Sequence, residues 1–148
     1  VADCAPILLL DPKQRVIAAV HAGWQGTAAG LVTKTVAAMC SLFGSNPADI
    51  QAVIGPRIGK CCYEVDVPVR QAFAHGAIPW DAVSEPTGEG RWRLDIAAAN
   101  RLLLIAAGLP EQSVQVSDMC VCCQRDLFFS YRRDNGETGR QMGFIMLR

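Results

Sequence analysis

Cys4 and His21 are the residues whose types and placing first invite chemistry. Cys4 opens the apolar run Ala5-Pro6-Ile7-Leu8-Leu9-Leu10, and His21 closes a stretch dominated by Val16, Ile17 and Val20. Two such runs, joined by the turn-prone pair Asp11-Pro12, predict strands of a hairpin whose far ends meet. A thiol and an imidazole brought together there form either a metal half-site or a nucleophile–base pair. Thiolate with imidazole suits Zn²⁺, and a catalytic zinc takes three protein ligands and keeps a fourth position open. Only two donors are apparent. His75, the other imidazole, falls at a predicted helix end beside Gly76 and has no sequence link to the corner, so a third ligand is expected from a segment before Val1. The start of the chain, without Met and already at Ala2-Asp3-Cys4, prompts the same expectation of a missing N-terminal part. Against these readings stands a plainer one. Free cysteine is among the most frequently buried residue types, and a histidine at a strand end is more often structural than a ligand.

The remaining cysteines cluster at Cys61-Cys62 and at Cys120, Cys122 and Cys123, with Cys40 alone. Cys120-x-x-Cys123 has the spacing of zinc ligands, but adjacent cysteines are awkward in a closed four-thiolate site, and small buried residues lining a tight core are the favoured reading. Redox chemistry at Cys120-x-x-Cys123 lacks a helix start after the first cysteine. Arg57, Arg132, Arg133 and Arg140 offer guanidinium groups suited to phosphate or carboxylate, with an ion-paired surface beside Asp126, Asp134 and Glu137 as the alternative. Phe128, Phe129 and Tyr131 read as core in preference to a base-stacking platform, with one of them facing a purine ring as the open alternative.

Positioning these residues falls to an irregular alternation of strands and helices. After the predicted hairpin, residues 25–43 read as one largely buried helix with Thr27, Lys34 and Ser41 on a wet edge, stopped by Gly44. Residues 50–54 predict a core strand, and 55–65, with two glycines and a proline, a tightly specified loop. Asp66 is placed to cap a helix over 67–75 with Pro68 in its first turn. A surface loop over 76–90, a strand over 91–94, a helix over 96–107 capped by Asp95, a strand over 113–117 and a final strand over 142–147 complete the pattern. The expected architecture is a mixed α/β layered domain, a mixed sheet packed with helices, without repeats.

The bulk properties narrow the partners. At 148 residues the chain suits a single domain that buries about 70% of its unfolded surface. Lys plus Arg equal Asp plus Glu at 14 each, so no net field favours nucleic acid or anionic membrane, and the expected partner is a small molecule. No run approaches the roughly 18 apolar residues of a membrane span, and the start lacks a signal-peptide pattern. Seven cysteines, an odd number in adjacent clusters, fit a reducing cytoplasm better than a disulfide framework.

Several blocks, in order, resemble the laccase-domain family, known both as multicopper polyphenol oxidases and as purine nucleoside phosphorylases. They are Ala2-Asp3-Cys4-Ala5-Pro6, His21-Ala22-Gly23-Trp24-Gln25-Gly26, Ile54-Gly55-Pro56, Cys62-Tyr63-Glu64-Val65, Leu94-Asp95-Ile96 and Phe128-Phe129-Ser130-Tyr131-Arg132-Arg133-Asp134 with Thr138-Gly139-Arg140. The chain departs from many relatives at Lys60, where proline is common, and at Gln141, where methionine is. The resemblance implies a cysteine hydrolase-like α/β fold and a His, Cys, His metal triad. Cys4 and His21 match the second and third members, and the first lies upstream of the Ala-Asp-Cys motif. It implies zinc-dependent phosphorolysis of adenosine, inosine and methylthioadenosine, with deamination of adenosine at C6. Arginines and backbone N–H groups would hold phosphate near ribose C1′, while an acid not assignable from the sequence eases departure of the base. Other readings stay open. Cys4, His21 and a methionine resemble a copper ligand set for a polyphenol oxidase, although a multi-copper cluster needs more than the two histidines present. Cys4 as nucleophile with His21 as base would make a metal-free cysteine hydrolase of cell-wall precursor editing. A non-catalytic interaction domain with core cysteines is the last.

Overall fold

The computed structural model describes residues 1–74 and 76–148, and the predicted hairpin forms. Strands β1 (Ala5–Asp11) and β2 (Val16–Ala22) pair antiparallel, with Ala5 opposite Ala22, Pro6 opposite His21 and Asp11 opposite Val16. Asp11 drives the reversal. Its carboxylate accepts the N–H groups of Lys13 (2.9 Å) and Gln14 (3.0 Å), and Arg15 takes a left-handed φ of 55° to complete the turn. β1 buries Ala5, Ile7 and Leu9 completely, while Pro6, Leu8 and Leu10 are half-buried on its other face. A run that reads as continuously apolar thus resolves into a core face and an outer face.

β3 (Gln51–Ile54) pairs antiparallel with the other edge of β1, and β7 (Val114–Val116) runs parallel to β3, so the main sheet is mixed, in the order β2-β1-β3-β7. A smaller antiparallel sheet has the order β4 (Glu64–Asp66), β6 (Arg91–Leu94), β5 (Ser84–Gly88). Helices α1 (Trp24–Ala28), α2 (Leu31–Phe43), α3 (Val67–Phe73), α4 (Trp80–Val83) and α5 (Ile96–Ala106) pack with the sheets, giving the expected mixed α/β architecture. One buried cluster joins Ile7, Leu9 and Ile54 of the main sheet to Val36 of α2, Phe73 of α3, Leu94 of β6 and Leu104 of α5. Each such side chain contributes about 1.5–3 kcal/mol on burial. Inside it, the buried Asn100 amide donates to Thr27 Oγ1 (2.9 Å) and Ile96 O (2.8 Å), tying α1 to α5.

Several boundaries differ from expectation. The single helix predicted over 25–43 is two helices, because Gly30 adopts a left-handed φ of 66° and turns the chain between α1 and α2. Gly44, at φ 72°, does stop α2, with its N–H on Cys40 O and that of Ser45 on Met39 O. Asp66 ends β4 and makes no side-chain cap, and α3 closes at Phe73. His75, the predicted end of that helix, lies outside the described residues. The predicted loop over 76–90 contains α4 and β5, an edge strand whose register shifts between Pro86 and Gly88. Residues 142–147, predicted as a strand, form no ladder with any described residue, and Met142 and Phe144 stand exposed. Asp95 caps α5 as expected, accepting from Ala98 N–H at 2.9 Å. Among the described residues, no helix is long and apolar enough to cross a membrane.

Candidate active site

The register of the hairpin decides which side chains meet. With Ala5 opposite Ala22 and Pro6 opposite His21, the ladder ends between Cys4, the residue before β1, and Gly23, the residue after β2, so Cys4 comes against Gly23 close to His21. Gly23 is there because nothing larger fits: a Cβ on it would lie 3.0 Å from Cys4 Sγ. Gly23 also turns the chain into α1, whose first residue, Trp24, reaches the same place. Cys4, His21, Trp24, Tyr63, Arg132 and Arg140 line one cavity of about 460 Å³.

Asp3 holds this corner together. It takes a left-handed φ of 78°, its carbonyl accepts Ile58 N–H (2.9 Å), and its nearly buried carboxylate accepts the Ser130 hydroxyl and the Arg132 N–H, both at 2.7 Å. Burial first, and then the neighbouring Asp3 carboxylate, push the Cys4 thiol above its ordinary range. Burial likewise pushes the Tyr63 phenol up to about 12, aided by the negative charges of Cys4 and Asp3 and opposed by Arg132. Tyr63 therefore keeps its proton at neutral pH. The Arg132 guanidinium lies 5.3 Å from the Tyr63 ring centroid and donates from Nη1 to Glu64 O (2.7 Å). Asp3, Trp24 and Tyr63 were not singled out from the sequence as site residues. The blocks Ala-Asp-Cys, Gly-Trp and Cys-Tyr-Glu that contain them were the available clue.

The four arginines part company. Arg132 and Arg140 line the cavity with Cys4 and His21, whereas Arg57 and Arg133 are not among its lining residues. Arg57 is buried and donates from Nη1 to Ser117 O. Arg133 grips Asp134 with two bonds (2.8 and 3.0 Å) and donates to Val121 O (3.0 Å) and Phe128 O (2.9 Å), and this pairing holds the Asp134 carboxyl at about 2. Both are committed to carbonyl oxygens of the fold.

The paired cysteine clusters converge as well. Cys61, Cys62, Cys120 and Cys123 bring their sulfurs within 4.8 Å of one another, a group able to hold a metal ion. The expectation of small residues lining a core fails here, since Cys61 and Cys123 are exposed, Cys62 is half-buried and only Cys120 is buried. Burial and the neighbouring sulfurs push the Cys61 and Cys62 thiols up. Burial works on Cys120 in the same direction, yet the N–H groups of Gly59, Cys123 and Cys122 outweigh it and bring that thiol down to about 7.

The family model described as multi-copper polyphenol oxidoreductase laccase matches residues 1–148. A purine nucleoside phosphorylase, YlmD of Bacillus subtilis, is 39% identical over 99% of this chain and 53% of its own length. A protein from an unknown prokaryote named adenosine deaminase RL5 is 39% identical over 94% of this chain and 53% of its own. Among solved structures, the hypothetical protein YfiH of Bacillus licheniformis superposes with a TM-score of 0.91 at 44% identity, over 94% of this chain and 52% of that one. The chain spans about half the length of these relatives.

Proposed function

Because the chain belongs to the multi-copper polyphenol oxidoreductase laccase family, we propose that it carries the core of a zinc-dependent purine nucleoside phosphorylase. Its substrates are adenosine, inosine and methylthioadenosine, with adenosine deamination as a second activity. The observation that carries this reading is a single cavity lined by a thiol, an imidazole, two arginines and the aromatic side chains of Trp24, Tyr63 and Tyr131. Relatives named purine nucleoside phosphorylase and adenosine deaminase support it.

The donor set fits zinc in part. Cys4 and His21 line the same cavity, the Asp3 carboxylate adds negative charge beside them, and the cavity leaves room for a further ligand and substrate. The third ligand is the upstream histidine that the family resemblance implies. When bound, zinc supplies a Lewis acid and eases formation of an oxygen nucleophile. Arg132 and Arg140 hold phosphate, and Arg132 is oriented for this by Glu64 O and the Tyr63 ring. In phosphorolysis a phosphate oxygen bonds to ribose C1′ while the C1′–N bond breaks and its electron pair leaves with the purine. A donor to the purine nitrogen stabilises that leaving group, and the Tyr63 phenol on the cavity wall offers such a hydrogen bond.

The test is direct. With inosine and phosphate, the purified protein should release hypoxanthine and ribose 1-phosphate, and omitting phosphate should stop the reaction. Equal yields from Cys4→Ala and His21→Ala would overturn the assignment. A metal count with a visible spectrum separates zinc from copper, because a copper–thiolate centre is intensely coloured and zinc is silent.

A further inference from the structure

Two stretches distant in sequence meet at a group of four cysteines. Cys61 and Cys62 lie between β3 and β4, and Cys120 and Cys123 follow β7. The Sγ of Cys123 is 3.3 Å from that of Cys62 and 3.6 Å from that of Cys61. Sulfurs at the corners of a tetrahedron about zinc stand about 3.8 Å apart, given a Zn–S bond of about 2.3 Å. The observed separations, up to 4.8 Å across the group, bracket that value.

The backbone is shaped to the cluster. Gly59 N–H donates to Cys120 Sγ at 3.2 Å, the kind of outer bond that orients a thiolate ligand. A Cβ on Gly59 would lie 3.1 Å from Cys120 Cβ and 3.2 Å from Cys61 Sγ, so a larger residue would push the two stretches apart. The flanking backbone is anchored too: Arg57 pairs with Cys120 through the main chain in an isolated bridge, and the Arg133 guanidinium donates to the carbonyls of Val121 and Cys122.

We propose that Cys61, Cys62, Cys120 and Cys123 form a second metal site, a closed four-thiolate Zn²⁺ clamp separate from Cys4 and His21. Each thiol releases its proton to solvent as it ligates. The clamp joins the loop that continues into Tyr63 to the segment that continues, through Arg133, to Ser130 and Arg132, the partners of Asp3. Four soft ligands leave no open position, so the ion is structural and does not turn over substrate.

The experiment is a metal count on the protein purified under reducing conditions, beside Cys4→Ala, His21→Ala and the double variant Cys62→Ser with Cys123→Ser. Cys4→Ala and His21→Ala should keep one zinc, and the double serine variant should lose it. Loading with Co²⁺ should give the strong sulfur-to-cobalt absorption of a multi-thiolate site, retained in Cys4→Ala and lost in the double variant. If the serine variants fail to fold, alkylation of the unsubstituted protein decides. Added Zn²⁺ should slow modification of Cys61, Cys62, Cys120 and Cys123 at least tenfold relative to Cys40. An unchanged zinc count in a folded double variant, no zinc-dependent protection, or a Cys62–Cys123 disulfide in the reduced protein would each overturn the clamp.

Discussion

The Cys4 corner and the cysteine cluster both present thiols, yet they are built in opposite ways. Cys4 and His21 come from adjacent strands of one hairpin and open onto a cavity of about 460 Å³ that mixes aromatic and cationic walls. The cluster gathers sulfur alone, from two loops far apart in the chain, around a glycine whose Cβ position is crowded by Cys61 and Cys120. A site that handles substrate needs a vacant position and varied neighbours, whereas a site that braces a fold needs a complete, uniform set of ligands. Placed side by side, the two set one residue type in opposite surroundings, one open and chemically mixed, the other uniform in sulfur.

The contrast breaks most sharply at the ligands. Cys4→Ala or His21→Ala should lower phosphorolysis by more than about 100-fold, exceeding the effect of an outer-shell loss, while leaving the thermal midpoint nearly unchanged. Steady-state kinetics alongside a melting curve checks both halves.

Two glycine substitutions exchange the regions. Gly23→Ala puts a methyl 3.0 Å from Cys4 Sγ and should cost up to about 100-fold in kcat through misplacement of the thiol, with the cluster's metal retained. Gly59→Ala crowds Cys61 and Cys120 and should weaken metal retention at the cluster by about 10-fold, measured by competition with a chelator, with a smaller effect on kcat. A Gly59→Ala variant that loses more activity than Gly23→Ala would reverse the two assignments.

Asp3 joins the regions, and its removal sharpens the comparison in stability. Asp3→Ala leaves the Ser130 hydroxyl and Arg132 N–H without their acceptor and should cost about 2–3 kcal/mol in urea unfolding. Asp3→Asn, which tolerates the left-handed backbone and keeps one acceptor oxygen, should cost less.

The smallest effect expected is in pH dependence. Asp134 titrates at about 2 in the fold against an ordinary 3.8, so its bond to Arg133 stabilises the protein above pH 3.8 and is lost as pH falls through 2. Tyr63, raised from 10.0 to about 12, contributes below pH 10 and loses that contribution as pH rises through 12. Urea midpoints should therefore fall at the acid end in native protein and stay flatter there in Asp134→Asn, while Tyr63→Phe flattens the alkaline end.

The corner was legible because its cues are local. Apolar runs, an Asp-Pro turn and a cysteine and histidine at matching ends specify a hairpin without knowledge of the remaining fold. The cluster was not, because its geometry depends on the parallel pairing of β3 with β7, which no local period announces, and adjacency at Cys61-Cys62 argued against a shared ion. The arginines were equally undecided in sequence, since a guanidinium bound to carbonyls and one facing a cavity look alike there. Gly30 sits inside the stretch 25–43 that reads as one helix, and the break lies in its positive φ, which the apolar pattern does not announce. Residues 142–147 have a strand's composition, but a strand needs a neighbour, and the described residues provide none.

The left-handed Asp3 carries a consequence for the order of assembly. Its partner Ser130 lies 127 residues away, so the bond that fixes Asp3 closes only after nearly the whole chain has folded. Contacts of such sequence separation form late because of the loop-closure entropy they must overcome. The hairpin can form early, but Cys4 receives its final orientation only when the Ser130 segment docks. The thiol at the mouth of the cavity is thus withheld from its final setting until the fold around it is complete.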